Sequence, residues 1–151
     1  MDMKKGIFRI VDANLNRSRE GLRVCEDISR FIMNDSALTK RLKAVRHSIS
    51  GIAQSEPKMS KILIGSRHAA DDIGRLPMID IELSRRDLSD IFTANIQRVK
   101  ESIRVLEEFF KLIDIKYSVK LSRLRFKTYD IEKMAIKKLA SLNSVKMLKR
   151  A

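Results

Sequence analysis

The sequence predicts an all-α protein: a four-helix bundle built from two duplicated helical hairpins with pseudo-two-fold symmetry, and a long functional connector between the halves. Three observations predict it. A nineteen-residue segment, ANLNRSREGLRVCEDISRF from Ala13 to Phe31, returns without a gap as ANIQRVKESIRVLEEFFKL from Ala94 to Leu112, eighty-one positions later. Leu, Ile, Lys, Arg and Glu dominate a chain of 151 residues with five Gly, two Pro and no Trp, the profile of a helical domain. Apolar residues recur at steps of three and four, the period of an amphipathic helix.

The elements follow in order. In the first copy Leu15, Ser18, Leu22, Cys25, Ile28 and Phe31 share one arc at about 100° per residue. Asn34-Asp35-Ser36 is a stop-and-restart signal with N-cap candidates. The next helix then carries Leu38, Leu42, Val45, Ile49 and Ile52. A connector over 55–83 holds both prolines, Pro57 and Pro77, with a short helix predicted over Met59–Ile64. A capping-box-like start at Ser84-Arg85-Arg86-Asp87 opens the helix of the second copy. There Val99, Ile103, Leu106, Phe109 and Leu112 form the matching arc. A last helix runs through Tyr117, Leu121, Leu124, Thr128 and Ile131, and its Lys120–Arg125 stretch echoes Arg41–Arg46. The expected organisation is a single domain over 1–151, with halves at about 7–54 and 84–131 and a basic tail over 132–151.

Charge narrows the partners. Lys and Arg number 32 against 19 Asp and Glu, a net of +13, and the tail alone carries six bases and one acid. Such a balance favours anionic partners. A frayed helix end is the simplest account of the tail. One cysteine, Cys25, excludes an intramolecular disulfide and suits the cytosol, and on the apolar arc it reads as a core residue. No apolar run has the length of a membrane span, and the start MDMKKGIFRI is too short and charged for a signal peptide. A cytoplasmic location is expected. No Walker A sequence or dinucleotide fingerprint is present, and neither His47 nor His68 has metal-ligand spacing with the cysteine.

Seven positions are identical between the copies, and five of these are polar: Asn14/Asn95, Arg17/Arg98, Glu20/Glu101, Arg23/Arg104 and Glu26/Glu107. Asn14, Arg17, Asn95 and Arg98 fall within the apolar arcs. Polar groups there need partners, because an unpaired one costs roughly 1–3 kcal/mol. Either each Arg meets a carboxylate across the bundle, or the four residues line a pocket at the pseudo-two-fold that takes a phosphorylated ligand. A guanidinium suits phosphate because its planar fork binds it bidentately. The carboxylates Glu20, Glu26, Glu101 and Glu107 lie mainly on the other side, and i,i+4 pairs such as Arg23/Asp27 and Arg104/Glu108 are expected on a solvated face. A role as magnesium ligands is the alternative. The connector segment GSRHAADDIG, Gly65–Gly74, has the Arg, paired Asp and Gly that can wrap a phosphate or make a surface turn.

The run RIVDANLNRSREGLRVCED from Arg9 to Asp27, then Arg30-Phe31 and Val45-Arg46-His47, resembles one half of the domain found N-terminal to thiamine-phosphate synthase in many bacteria. Arg67, Asp72-Ile73-Gly74 and the Ala94–Glu108 run continue the pattern, over about Ile7 to Asp114. Arg75 departs from it, standing where the family's Asp-Val-Gly-Thr stretch has a Thr-like residue. The resemblance implies a monofunctional hydroxymethylpyrimidine-phosphate kinase. Its reaction is ATP- and magnesium-dependent phosphorylation of 4-amino-5-hydroxymethyl-2-methylpyrimidine phosphate to the diphosphate. Under that expectation Arg17 and Arg98 clamp phosphate, Asn14 and Asn95 orient substrate, and Arg67, Asp71 and Asp72 close as a lid, one Asp helping to hold magnesium. Arg9 and Arg46 are secondary candidates. Two other readings stand beside it: a non-catalytic phosphometabolite-binding module that partners thiamine-phosphate synthase, and a basic helical nucleic-acid binder. Two Tyr and no Trp offer little for base stacking. A homo-oligomer is left open.

Overall fold

The computed structural model describes residues 2–55, 57–74 and 84–150. Helix α1 spans Met3–Asp27 and runs on through a π-helical segment, Ile28–Met33. It is followed by α2 (Ser36–Ala53), α3 (Pro57–Gly65), a 3-10 turn at Ala69–Asp71, α4 (Leu88–Phe110) and α5 (Ile115–Arg150), with no strand among the described residues. Helix α1 packs against α2 and α4, α5 packs against the same two, and α3 lies on α1. This is the expected bundle of two hairpins. Of the expected connector over 55–83, residues 75–83, with Arg75 and Pro77, lie outside the described residues.

Aspartates start the helices. Asp2, Asp35 and Asp87 sit at N-caps and accept from the backbone N–H groups of Lys4, Leu38 and Asp90. Asp114 does the same for Lys116 at the start of α5. Each satisfies an N–H that the first helical turn leaves without a partner. The inward arcs then bury Leu15, Leu22, Cys25, Leu42, Ile49, Ile96, Ile103, Leu106 and Leu121 almost completely. Among the described residues no helix is long and apolar enough to cross a membrane.

The two copies cross as antiparallel helices, and their contacts show the pseudo-two-fold. Ser18 and Ser102 share a hydrogen bond of 2.8 Å between hydroxyls. Its symmetry image brings Gly21 against Val99, where a Cβ on Gly21 would lie 2.8 Å from Val99 Cγ2 and 2.9 Å from the Asn95 carbonyl oxygen. Only a residue without a side chain lets the backbones approach so closely here.

The hairpins obey the same symmetry through buried charge. Glu26 is buried and takes a bidentate pair from Arg46 of α2, at 2.7 and 3.2 Å, with Arg23 at 3.7 Å. Glu107 repeats this with Arg125 of α5 and with Arg104 at 3.3 Å. Glu26 and Glu107, expected on a solvated face, are therefore inter-helix anchors. The expected pair Arg104–Glu108 is present at 3.1 Å, whereas Arg23 pairs with Glu26 in place of Asp27. The echo between Arg41–Arg46 and Lys120–Arg125 now has a cause, since its last arginine neutralises the buried glutamate of its own hairpin.

The copies differ at their turns. The repeat interval is eighty-one between Glu26 and Glu107 but seventy-nine between Asp35 and Asp114. The first hairpin takes up its two extra residues in the π segment, which widens the helix, and ends at Asn34 in the left-handed region at φ 55°. The turn geometry carries Phe31 and Leu112, expected on the buried arcs, out to the surface.

Candidate functional site

A groove of about 780 Å³ runs along the N-terminal half of α1 under the loop that follows α3. Arg9, Asp12, Asn14 and Arg17 line it from α1, and Arg67, His68 and Asp72 from the loop. Its volume falls within the range of small-molecule pockets.

Each side chain is placed by local structure. Asp12 is buried, and its carboxylate takes a bidentate pair from Arg67, at 2.7 Å to Nε and 2.9 Å to Nη2. This pair latches the loop to α1. Hydrogen bonding to Asp12 holds the Arg67 guanidinium above its ordinary pKa, so it stays charged. Ser66, just before it, is buried and donates to the Leu63 carbonyl at 2.7 Å, closing α3. Asp72 accepts from the Gly74 N–H at 2.8 Å and is otherwise open to the groove.

Asn14 is buried, and its amide donates 2.8 Å to the Ile10 carbonyl, one turn back on its own helix. Asn95 makes the equivalent bond to Ile91, also at 2.8 Å. These bonds satisfy one amide hydrogen within the helix and leave the rest of each carboxamide for other partners. Arg17 reaches Asn14 Oδ1 at only 3.5 Å. Among the described residues neither Arg9 nor Arg17 has a carboxylate within ion-pair distance.

Several expected site residues lie elsewhere. Arg17 and Arg98 are exposed rather than inward, because their long stems carry the charge from the edge of the apolar arc to water. Asn95 and Arg98 do not line the groove. The antiparallel crossing sets the backbone carbonyl of Asn95 beside Gly21, about 10 Å further along α1 than Asn14. The cavity expected at the pseudo-two-fold is thus replaced by a groove on the first copy. Arg46 is committed to Glu26 inside the bundle. Asp71 ends the 3-10 turn and is exposed outside the groove lining. Sequence reasoning missed Asp12 and His68. Asp12 had a usable signal, being the only acid between Met3 and Arg19 in a basic stretch. His68 had none.

Among the described residues no group of three or more His, Cys, Asp and Glu could cage a metal ion. Magnesium commonly arrives on nucleotide phosphates and uses one or two carboxylates, which Asp72 can supply. Cys25 takes no part. Burial, and after it the charge of Glu132, pushes its thiol up to about 12.

Comparison with known proteins bears on the whole chain. A family model described as "ThiD2 family" matches residues 9–134. The chain belongs to the ThiD2 family. Among curated relatives, a thiamine-phosphate synthase of Rhodopirellula baltica is 37% identical over 138 residues, 91% of this chain and 36% of that protein. Thiamine-phosphate synthases of Thermosynechococcus vestitus and Synechocystis sp. are 38% and 36% identical, over 82% and 83% of this chain and 34% and 35% of theirs. This ThiD2 chain therefore spans about a third of the length of the relatives it matches. No solved structure matches it. The family match covers the groove from Arg9 to Asp72 and both buried Glu–Arg pairs.

Proposed function

We propose that this ThiD2 chain acts in thiamine biosynthesis, as a kinase that converts 4-amino-5-hydroxymethyl-2-methylpyrimidine phosphate to its diphosphate with ATP. The observation that carries the reading is the groove, which sets Arg9 and Arg17, two guanidiniums with no ion pair among the described residues, beside the carboxamide of Asn14 and the carboxylate of Asp72. The family and its synthase relatives supply the pathway, and the groove supplies a place for two anions.

In the transfer, a phosphate oxygen of the monoester attacks the γ-phosphorus of ATP, and the bond to the β-phosphate oxygen breaks to release ADP. The attacking oxygen is already anionic, so no general base is required. The obstacle is repulsion between two phosphates, and fixed positive charge offsets it. Arg9 and Arg17 bind phosphate oxygens. Asn14, locked to Ile10, presents its remaining amide hydrogen and its carbonyl oxygen to the pyrimidine. Arg67, neutralised by Asp12, holds the loop over the site instead of clamping phosphate. Bound magnesium would neutralise nucleotide charge, with Asp72 as the residue to hold it.

The test is a coupled assay on the purified chain with the pyrimidine monophosphate, ATP and magnesium, with the diphosphate resolved by chromatography. Formation of diphosphate with equimolar ADP is expected. Thermal stabilisation by the pyrimidine phosphate with no diphosphate would instead identify a binding module.

A further inference from the structure

Helix α5 carries more apolar surface than the bundle covers. Leu121, Leu124, Ile131, Ala135 and Leu139 face inward and are buried. On the other side Ile115, Val119, Phe126, Tyr129 and Ile136 are 62, 47, 59, 45 and 43% exposed. With Ser122 and Lys133 they step alternately by four and three from 115 to 136, a seam about 31 Å long. That is the heptad spacing by which helices pair as coiled coils. Exposed apolar residues aligned in such a seam mark an interaction site.

We propose that this seam pairs with the same seam of a second copy of the chain, antiparallel, with Phe126 of one copy against Tyr129 of the other. Three features select that occupant and register. First, the register is self-complementary about a two-fold midway between Phe126 and Tyr129, and it sets Val119 against Ile136 of the second copy. Second, it seats Lys133 opposite the small Ser122, whereas a parallel pairing in register would stack Lys133 on Lys133. Third, it brings Arg123 within reach of Asp130 of the second copy, twice by symmetry. Both residues are exposed, and neither makes an ion pair among the described residues. An acidic partner helix would suit Lys120 and Lys127 but would meet Asp130 with like charge.

The centre of the seam is already ordered. Lys100 lies 4.9 Å over the Tyr129 ring and Arg125 lies 5.0 Å over Phe126, with the two rings 6.4 Å apart. Cations held over these rings restrict their rotamers before association, which lowers its entropic cost.

The full chain is examined by sedimentation equilibrium and is expected to be a dimer at tens of micromolar. Phe126→Glu gives a monomer whose helix content by circular dichroism is unchanged, since that ring is outside the core. Arg123→Asp and Asp130→Arg each weaken the dimer roughly tenfold, and the double variant restores it. For orientation, Ser122→Cys and Lys133→Cys proteins are mixed and oxidised, with Cys25 buried and inert. Cross-links between the two different variants support the antiparallel seam. A monomeric parent chain, a double variant that stays weak, or cross-linking of Ser122→Cys only to itself would overturn the proposal.

Discussion

Arginines at matching repeat positions carry different burdens, and the difference is geometric. Arg17 faces a groove closed by the Asp12–Arg67 latch, whereas Arg98 lies on α4, outside the groove lining. Arg17→Ala is expected to lower kcat/KM for pyrimidine phosphate phosphorylation by about 10²-fold, with Arg98→Ala staying within about threefold. Steady-state kinetics on both folded variants decides this, and equal losses would place the second copy in the site. Glu26 carries a stability burden instead. Burial alone would push its carboxyl up, but the hydrogen bond and charge of Arg46, with the charges of Arg23 and Lys43, outweigh it and hold the group below the ordinary glutamate range. A depressed folded value means the pair's stabilisation is complete above the unfolded pKa, about 4.3, and is lost as pH falls through the folded one. Glu26→Ala, which strands Arg46, should cost about 3 kcal/mol at pH 7. Glu26→Gln should flatten the acid limb of stability. Urea midpoints measured from pH 7 to pH 3 read both effects.

The elements are largely legible in the sequence, because their signals are local. Asp35 stands at the helix start that the sequence expects, and the three-and-four spacing of Leu38, Leu42, Val45 and Ile49 needs no tertiary knowledge. The capping box expected at Ser84-Arg85-Arg86-Asp87 does not form, because Asp87 is itself the N-cap and the helix opens three residues later than that box implies. What escaped was set by pairing between elements. A helical wheel places Glu26 on a polar side, but only the approach of α2 turns that side into an interior and delivers Arg46 to it. The π segment was equally hidden, since it comes from a two-residue difference between hairpins that each look regular alone. The α1–α4 crossing offers a test of this scale. Gly21→Ala puts a methyl 2.9 Å from the Asn95 carbonyl oxygen and 2.8 Å from Val99 Cγ2, so a loss of about 1–3 kcal/mol is expected in chemical denaturation. Adding Val99→Ala should recover only part of it, because the backbone carbonyl stays where it is. Full recovery would mean that the crossing is held apart by the valine alone.

At the scale of the whole molecule, a symmetric scaffold carries an asymmetric groove. The bundle repeats its Glu–Arg anchors and its crossing contacts about one axis, yet α3 packs on α1, and among the described residues the groove draws only on α1 and the loop after α3. Duplication explains the retained Asn and Arg on both copies, and that retention invited the expectation of one shared cavity. The antiparallel crossing prevents sharing, because it moves Asn95 away from Asn14 along the helix axis by about two turns. Binding by the first copy alone therefore predicts one pyrimidine phosphate per chain, whether the chain is a monomer or a dimer. Isothermal titration calorimetry with the monophosphate and magnesium measures the stoichiometry directly. Two sites per chain, with the second abolished by Arg98→Ala, would mean that α4 binds ligand without a helix over it. A single site that survives Arg17→Ala would move the ligand off the groove altogether.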